Sequence, residues 1–405
     1  MTPGPMTPGP ARPGPMTPGP TTPGPTNPGD DPVAVAFDVT PLLGFRTGMG
    51  RSVAEMWAAV GRLGPSVRAV PYAIGIEGGG GSGQLPDGTR HIRLPTRALL
   101  LIWSRSGRVS MDHWLPPADV VHATNFTLGP TRRPTLITVH DIGFALHPST
   151  TDAVTATFAG MLRRAIGRGA HLHVTTAHLA RQVEEQFGPG LLAAGRVSVV
   201  PFGIPELGRP GPLPAGLGAA LAGRPYVIAI GDQLERKNLP MLVRAFGRVS
   251  GALPELRLVL AGPEGPSTTA IREAVAALGP EVAGRVLLTG PVDDGARVAL
   301  LAGAAVMAYP SLYEGFGLPP LEAMSLGVPT LVSRAGALAE VAGPGAQLLD
   351  PTDVDAWAEG IERLVNDEAQ RRELIDAGHR HAARFGWEAT GEGLAGIYRR
   401  LATSS

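Results

Sequence analysis

Apolar positions in this chain come in short dense runs separated by longer amphipathic stretches, and the rhythm occurs twice. In the first half the runs are VAVAFDV (33–39), DVVHAT (119–124), TLITVHD (135–141), HLHVTT (171–176) and RVSVVPFG (196–203). A helical pattern starts near Ser52 and runs to about Gly61, and others cover 151–168 and 178–187. Apolar runs of this length read as strands buried on both faces, and their alternation with helices predicts a parallel α/β sheet. A Pro- and Gly-rich stretch, 206–225, breaks the rhythm and reads as a linker. The pattern restarts with PYVIAIG (225–231), LRLVLAG (256–262), RVLLTG (285–290), AAVMAYP (304–310), VPTLVS (328–333) and AQLLD (346–350). A last helical segment, 380–402, carries Trp387 and Tyr398. The expected organisation is two α/β domains, 31–208 and 209–385, with 386–405 forming a helix that crosses back to the first.

Length and composition agree with that division. A chain of 405 residues is long for one core, and its 43% hydrophobic content is that of a globular protein. Residues 1–30 are a degenerate pentapeptide repeat (MTPGP, ARPGP, TTPGP and relatives) and read as a disordered tail with polyproline II character. Basic and acidic residues both number 35, which argues against bulk electrostatic binding to nucleic acid. The absence of cysteine excludes disulfides, thiol catalysis and cysteine-ligated metals. No apolar stretch is long enough to span a bilayer, and the N-terminus lacks the basic-then-apolar layout of a secretory signal. A cytoplasmic protein is expected, with peripheral contact at the inner face of a membrane left open.

The most informative stretch is 304–333, AAVMAYPSLYEGFGLPPLEAMSLGVPTLVS. A strand is expected to end near Pro310, followed by a loop with Glu314, Gly315, Phe316 and Gly317. Pro319 suits a first helical position, which puts Glu322 in the first turn. A Gly-rich loop entering a helix offers free N–H groups and partial positive charge, the makings of a phosphate site. Two carboxylates beside it suit the hydroxyls of a sugar ring and a ribose. On the residues alone, Glu314 as a solvated loop residue and Glu322 as a helix-dipole partner stay open.

The run resembles the E-x7-E signature of family 4 glycosyltransferases, which have the two-domain GT-B fold with two Rossmann-like domains facing across a cleft. The resemblance implies that Glu314 faces the transferred sugar and Glu322 holds the ribose of the nucleotide, with Gly315, Phe316, Gly317 and Leu318 at the phosphates. The segment 227–249, VIAIGDQLERKNLPMLVRAFGRV, resembles the family's R-K-N segment. By that resemblance Arg236 and Lys237 contact the diphosphate of the sugar donor. Fixed cations there stabilise charge that grows as the glycosidic bond breaks. Many family members carry an arginine directly after the strand-end glycine, whereas this chain has Asp232, so the phosphate role rests on Arg236 and Lys237.

In the first half, His140 and Asp141 stand at a strand's C-terminal end, where ligands of open α/β sheets bind. The resemblance carries His140 over as a sugar or phosphate contact and Asp141 as an acceptor-orienting group or base. The loop GFRTGMGRS (44–52) has Gly48 and Gly50 in a G-x-G-x-x-V pattern that lacks the third glycine of a dinucleotide fingerprint. In the family such a loop closes over the phosphates or meets the acceptor.

Three other features look like sites and are read as structural. Asp353 and Asp355 spell D-x-D, but their position opening a helix makes N-capping sufficient. His171 and His173 share a strand face without a third ligand in sequence, so no metal is expected. RALLLIWSR (97–105) reads as a core helix with exposed arginines rather than a membrane-facing one.

The implied activity is a retaining, metal-independent transfer of a hexose from a nucleotide-diphosphate sugar to a cell-envelope glycan or lipid acceptor, with no separate cofactor. The segments FDVTPLLGFRTGMGRS, TVHDI and LERKN most resemble bacterial mannosyltransferases, which favours mannose and a GDP-mannose donor. A nucleotide-sugar epimerase, a dinucleotide oxidoreductase and a non-catalytic binder of the same fold are the competing readings.

Overall fold

A computed structural model describes residues 32–43, 48–75, 85–105, 109–126, 128–146 and 155–403. The 1–30 repeat and residues 44–47 of the first glycine-bearing loop lie outside the described residues. Two parallel sheets organise the rest. The first contains β1 (Val33–Asp38), β2 (Val67–Ile74), β3 (Arg90–Ile92), β4 (Val120–Ala123), β5 (Thr135–Val139), β6 (His171–Val174) and β7 (Val197–Val199) in the order β3-β2-β1-β4-β5-β6-β7. The second contains β8 (Tyr226–Ile230), β9 (Arg257–Ala261), β10 (Val286–Gly290), β11 (Val306–Tyr309), β12 (Thr330–Ser333) and β13 (Gln347–Leu349) in the order β10-β9-β8-β11-β12-β13. Strands β4, β5 and β6 are buried throughout, as central parallel strands under helices on both faces must be. Strand order reverses between β1 and β4 and between β8 and β11, and such reversals open the crevices in which ligands of these sheets bind.

Two strands lie where the apolar pattern predicts none. β2 contains Pro71, a residue that argues against an interior strand because it cannot donate to a ladder. Val39 N–H donates to Tyr72 O at 2.8 Å, so Tyr72 faces β1 and the Pro71 nitrogen faces the opposite side. There, pairing with β3 begins only at Tyr72, opposite Arg90, so the missing donor leaves no gap. The segment read as one helix, 380–402, is instead two, Glu368–Ala382 and Trp387–Thr403, broken at 383–386.

The second of these helices packs on helix Gly48–Gly61 of the first domain. The chain crosses between the domains twice, after β7 near 201–204 and again near 383–386, and the two crossings lie against each other. Ile204 N–H donates to Phe385 O at 3.0 Å, Thr390 Oγ1 donates to Pro201 O at 2.8 Å, and the Phe202 and Trp387 rings stack 5.5 Å apart. A side chain at Gly203 would collide with Trp387 N at 2.3 Å.

A buried polar chain anchors the returning helix. Tyr398 OH pairs with His122 Nδ1 at 2.7 Å, His122 Nε2 with Thr138 Oγ1 at 2.8 Å, Thr138 Oγ1 with His173 Nδ1 at 2.9 Å, and His173 Nε2 with Val200 O at 2.9 Å. Burial holds the His122 imidazole well below its usual range and pushes His173 down to about 4. An unfolded chain takes up the His173 proton as pH falls through about 6.5, whereas the folded protein resists until about 4, and His122 acts in the same direction. Stability is therefore complete above pH 6.5 and lost progressively towards pH 4, by roughly 2 kcal/mol at pH 5 for His173. Thermal melts at pH 7 and pH 5 should differ by several degrees, and His173→Gln should shrink that difference; an unchanged difference would remove this network as its source.

Candidate active site

The C-terminal ends of β8 and β11 converge on one carboxylate. After β11 the chain runs through Pro310 and a loop to Gly317, which has φ of 95° and opens helix Leu318–Ser325. A Cβ at Gly317 would meet Leu338 Cδ2 at 2.5 Å, so the turn needs glycine for both space and backbone angle. After β8, a tight turn at Glu235–Lys237 ends in Asn238, whose φ of 54° is the only positive value outside glycine among the described residues. The Asn238 side-chain amide donates to Pro351 O at 2.7 Å and Pro310 O at 3.3 Å, tying the turn to the β11 loop.

That tie sets Arg236 and Lys237 on Glu314. Arg236 NH1 and Lys237 Nζ each lie 2.7 Å from Glu314 Oε1, and Tyr309 OH contacts both Lys237 Nζ and, at 3.2 Å, Glu314 Oε1. Burial pushes the Glu314 carboxyl up, but Lys237 and Arg236 together outweigh it and hold the group at about 2. Burial disfavours the charge on Lys237, and Glu314 more than offsets that, leaving its pKa raised. The cluster is thus fully ionised at neutral pH, with two cations and one anion. The Arg236 side chain is 39% exposed, so the surplus positive charge reaches the surface and can attract an anion there.

Glu322 sits deeper. The helix begins at Leu318, so Pro319 is second and Glu322 fifth, in the second turn rather than the first. The helix-dipole explanation fades beyond the first turn and does not account for it. Glu322 is buried and paired instead with Arg297 of helix Asp294–Ala302.

The first domain meets this site directly. His140 follows β5, and its Nε2 pairs with Thr124 O at 2.8 Å, while Asp141 Oδ1 accepts from Gly143 N–H at 2.8 Å. Burial lowers the His140 pKa, so it is neutral at physiological pH. Its carbonyl lies so close to Gly315 that a Cβ there would sit 1.9 Å from the oxygen. Ile142 N–H donates to Tyr313 OH at 3.0 Å, and Thr175 Oγ1 to Gly315 O at 3.2 Å. Glu340 receives Ala177 N–H at 2.7 Å and His178 N–H at 2.8 Å, capping a helix of the opposite domain. Arg51 reaches Asp294 at 2.6 Å.

The structure therefore brings His140 and Asp141 to the loop of Glu314, Gly315 and Gly317, beside Arg236 and Lys237. It departs from the sequence reading at three places besides Glu322. Gly48 and Gly50 belong to the first turn of helix Gly48–Gly61, which starts four residues before the expected Ser52. The Phe316 side chain points away from the cleft into the aromatic cluster of the domain crossings, 5.7 Å from Phe202 and 6.0 Å from Phe385, so only its backbone can serve a ligand. Leu318 likewise packs against the core. Sequence reasoning missed Tyr309, Tyr313, Arg297 and Glu340. For Arg297 the only signal was its place three residues after Asp294 on a capped helix.

The features read as structural have structural partners. Asp353 caps helix Val354–Asn366 through Ala356 N–H at 2.9 Å. His171 pairs with Ser198 at 2.9 Å, and His173 belongs to the buried chain above. No group of three or more metal-ligating side chains occurs among the described residues. Helix Thr96–Arg105 buries Leu99, Leu100 and Trp103 and exposes Leu101 and Ile102, so its outer face is partly apolar. No described helix is long and apolar enough to cross a membrane.

Comparison with known proteins bears on the family and the fold. Residues 219–381 match the family model described as glycosyl transferases group 1. The MMP alpha-(1->4)-mannosyltransferase of Mycolicibacterium hassiacum is 40% identical over 151 residues, which cover 36% of this chain and 35% of that relative. The D-inositol 3-phosphate glycosyltransferase of Corynebacterium urealyticum is 33% identical over 196 residues, 46% of this chain and 45% of the relative. The chain thus spans less than half the length of either relative. Among solved structures, sucrose-phosphate synthase from Thermosynechococcus elongatus has a TM-score of 0.69 at 20% identity, covering 93% of this chain and 100% of that one. At that identity the likeness shows the fold, a GT-B pair of Rossmann-like domains.

Proposed function

From a chain whose residues 219–381 match the family model of group 1 glycosyl transferases, we propose a retaining glycosyltransferase. It moves a hexose, mannose favoured, from a nucleotide-diphosphate sugar, GDP-mannose favoured, to a cell-envelope glycan or lipid-linked acceptor. The observation that carries this reading is Glu314 held between Arg236 and Lys237 at the point where the first domain closes on the loop. That the M. hassiacum relative is a mannosyltransferase supports the sugar.

In this account Arg236 and Lys237 hold the diphosphate and stabilise the charge it gains as the bond from the anomeric carbon to the phosphate oxygen breaks. The acceptor hydroxyl attacks from the face the diphosphate leaves. Its proton passes to a diphosphate oxygen, so the products are the glycoside and the nucleotide diphosphate. Glu314, anionic throughout, accepts hydroxyls of the sugar and keeps both cations in place. His140, neutral and fixed on Thr124 O, faces the sugar from the other domain. Contact between the domains limits water and hence hydrolysis.

Calorimetry with GDP, UDP, ADP and their sugars, in a metal chelator, tests this directly. GDP and GDP-mannose should bind most tightly, and Glu322→Ala should weaken them by about tenfold or more, the loss of hydrogen bonds to a charged group. Preference for a UDP series would remove the mannose assignment, and no binding of any of them would remove the transferase itself.

A further inference from the structure

Buried carboxylates need partners, and Glu322 has one that the proposed reaction does not itself employ. Arg297 NH1 binds Glu322 Oε2, and the two side chains are 13% and 6% exposed. The contact uses Oε2, so Oε1 can accept a ligand hydroxyl while Arg297 stays in place. At its other edge the guanidinium Nε makes no hydrogen bond and has only an ion pair beside it. Arg297 Nε lies 3.6 Å from Asp294 Oδ1, and the same oxygen takes Arg51 of the first domain at 2.6 Å. Glu322, Arg297, Asp294 and Arg51 therefore form an alternating row of charges that runs from the second domain into the first.

We propose that Arg297 is a positioning residue for the sugar donor: it holds Glu322 aimed at the ribose, and through Asp294 and Arg51 it joins that carboxylate to the opposite domain. The inference rests on the ribose role of Glu322 given above. The charged groups that face Glu322 are Arg297 and Asp294 from its neighbouring helix and Arg51 from across the cleft. Burial raises the Glu322 pKa, Arg297 opposes that rise most strongly, Arg51 contributes less, and Asp294 adds to it. Loss of Arg297 removes the strongest opposition to burial, so the Glu322 pKa rises further and the carboxylate is a poorer acceptor.

The test is calorimetric titration of GDP, or of whichever nucleoside diphosphate the wild-type protein binds best, at pH 7 and pH 9. Wild-type affinity should change little between the two. Arg297→Leu should weaken binding at least tenfold at pH 7, and the deficit should shrink at pH 9, because removing Arg297 raises the Glu322 pKa further and higher pH favours the carboxylate. Arg297→Lys, which keeps the charge and guards against a folding defect, should lie between them. Glu322→Gln should be weak and flat at both. An Arg297→Leu deficit equal at both pH values, or no deficit, overturns the proposal while the ribose reading stands. A wild-type protein that binds no nucleoside diphosphate overturns the ribose reading and the proposal together.

Discussion

Replacing Gly315 with alanine should abolish turnover, by at least about 100-fold, while nucleotide binding to the second domain survives. The new methyl group would sit 1.9 Å from His140 O and 2.9 Å from Asp141 Cβ. Both neighbours are held by the fold: the first is main chain, and Asp141 is fixed by its bond to Gly143. The only relief is for the two domains to stand apart. Glu314, Arg236 and Lys237 all belong to the second domain and keep their mutual contacts, so the diphosphate should still bind. His140 would retreat from the sugar, and displacement of about 1 Å is enough to cost on the order of 100-fold in rate. Steady-state kinetics beside calorimetry separates the two effects. Equal loss of binding and turnover would mean that the loop itself had collapsed, and full activity would mean that the contact has no part in the reaction.

Lys237→Ala should lower kcat by about 100- to 1,000-fold, the scale for loss of one preorganised charge at a developing anion. Lys237 is the only lysine in the chain, every other basic side chain apart from histidine being arginine. Its ammonium fits between Glu314 Oε1 and Tyr309 OH, with the side chain passing 3.2 Å from where a Cβ on Gly231 would lie. A planar guanidinium is wider and donates in a fixed fork, so Lys237→Arg should fail to restore activity despite keeping the charge. Restoration by arginine would show that charge alone suffices, and unchanged kinetics in the alanine variant would take Lys237 out of the mechanism.

Strands β8 to β13 were readable because each is a continuous apolar run between turn residues, and parallel sheets leave no other pattern. β2 was not, since Pro71 breaks the strand signal and is tolerated only because its nitrogen faces a side where pairing has not begun. Glu314, Arg236, Lys237, His140 and the loop glycines were legible because their motif is local in sequence. Their pairing was not: Lys237 and Glu314 are 77 positions apart and meet through the Asn238 tie. The place of the Phe316 ring was not legible, because sequence does not reveal that Phe202 and Phe385 lie beside it. Arg297 was invisible for a similar reason. A lone arginine on a helix reads as solvated until the fold sets it against a buried carboxylate.

The central claim is that this cleft transfers a sugar with retained configuration, leaving the proton on the diphosphate rather than inverting through a base opposite it. Proton NMR of GDP-α-mannose incubated with the protein and a metal chelator follows the first sugar released by slow hydrolysis, before mutarotation. The account predicts α-mannose together with GDP. Release of the β-anomer first would contradict it.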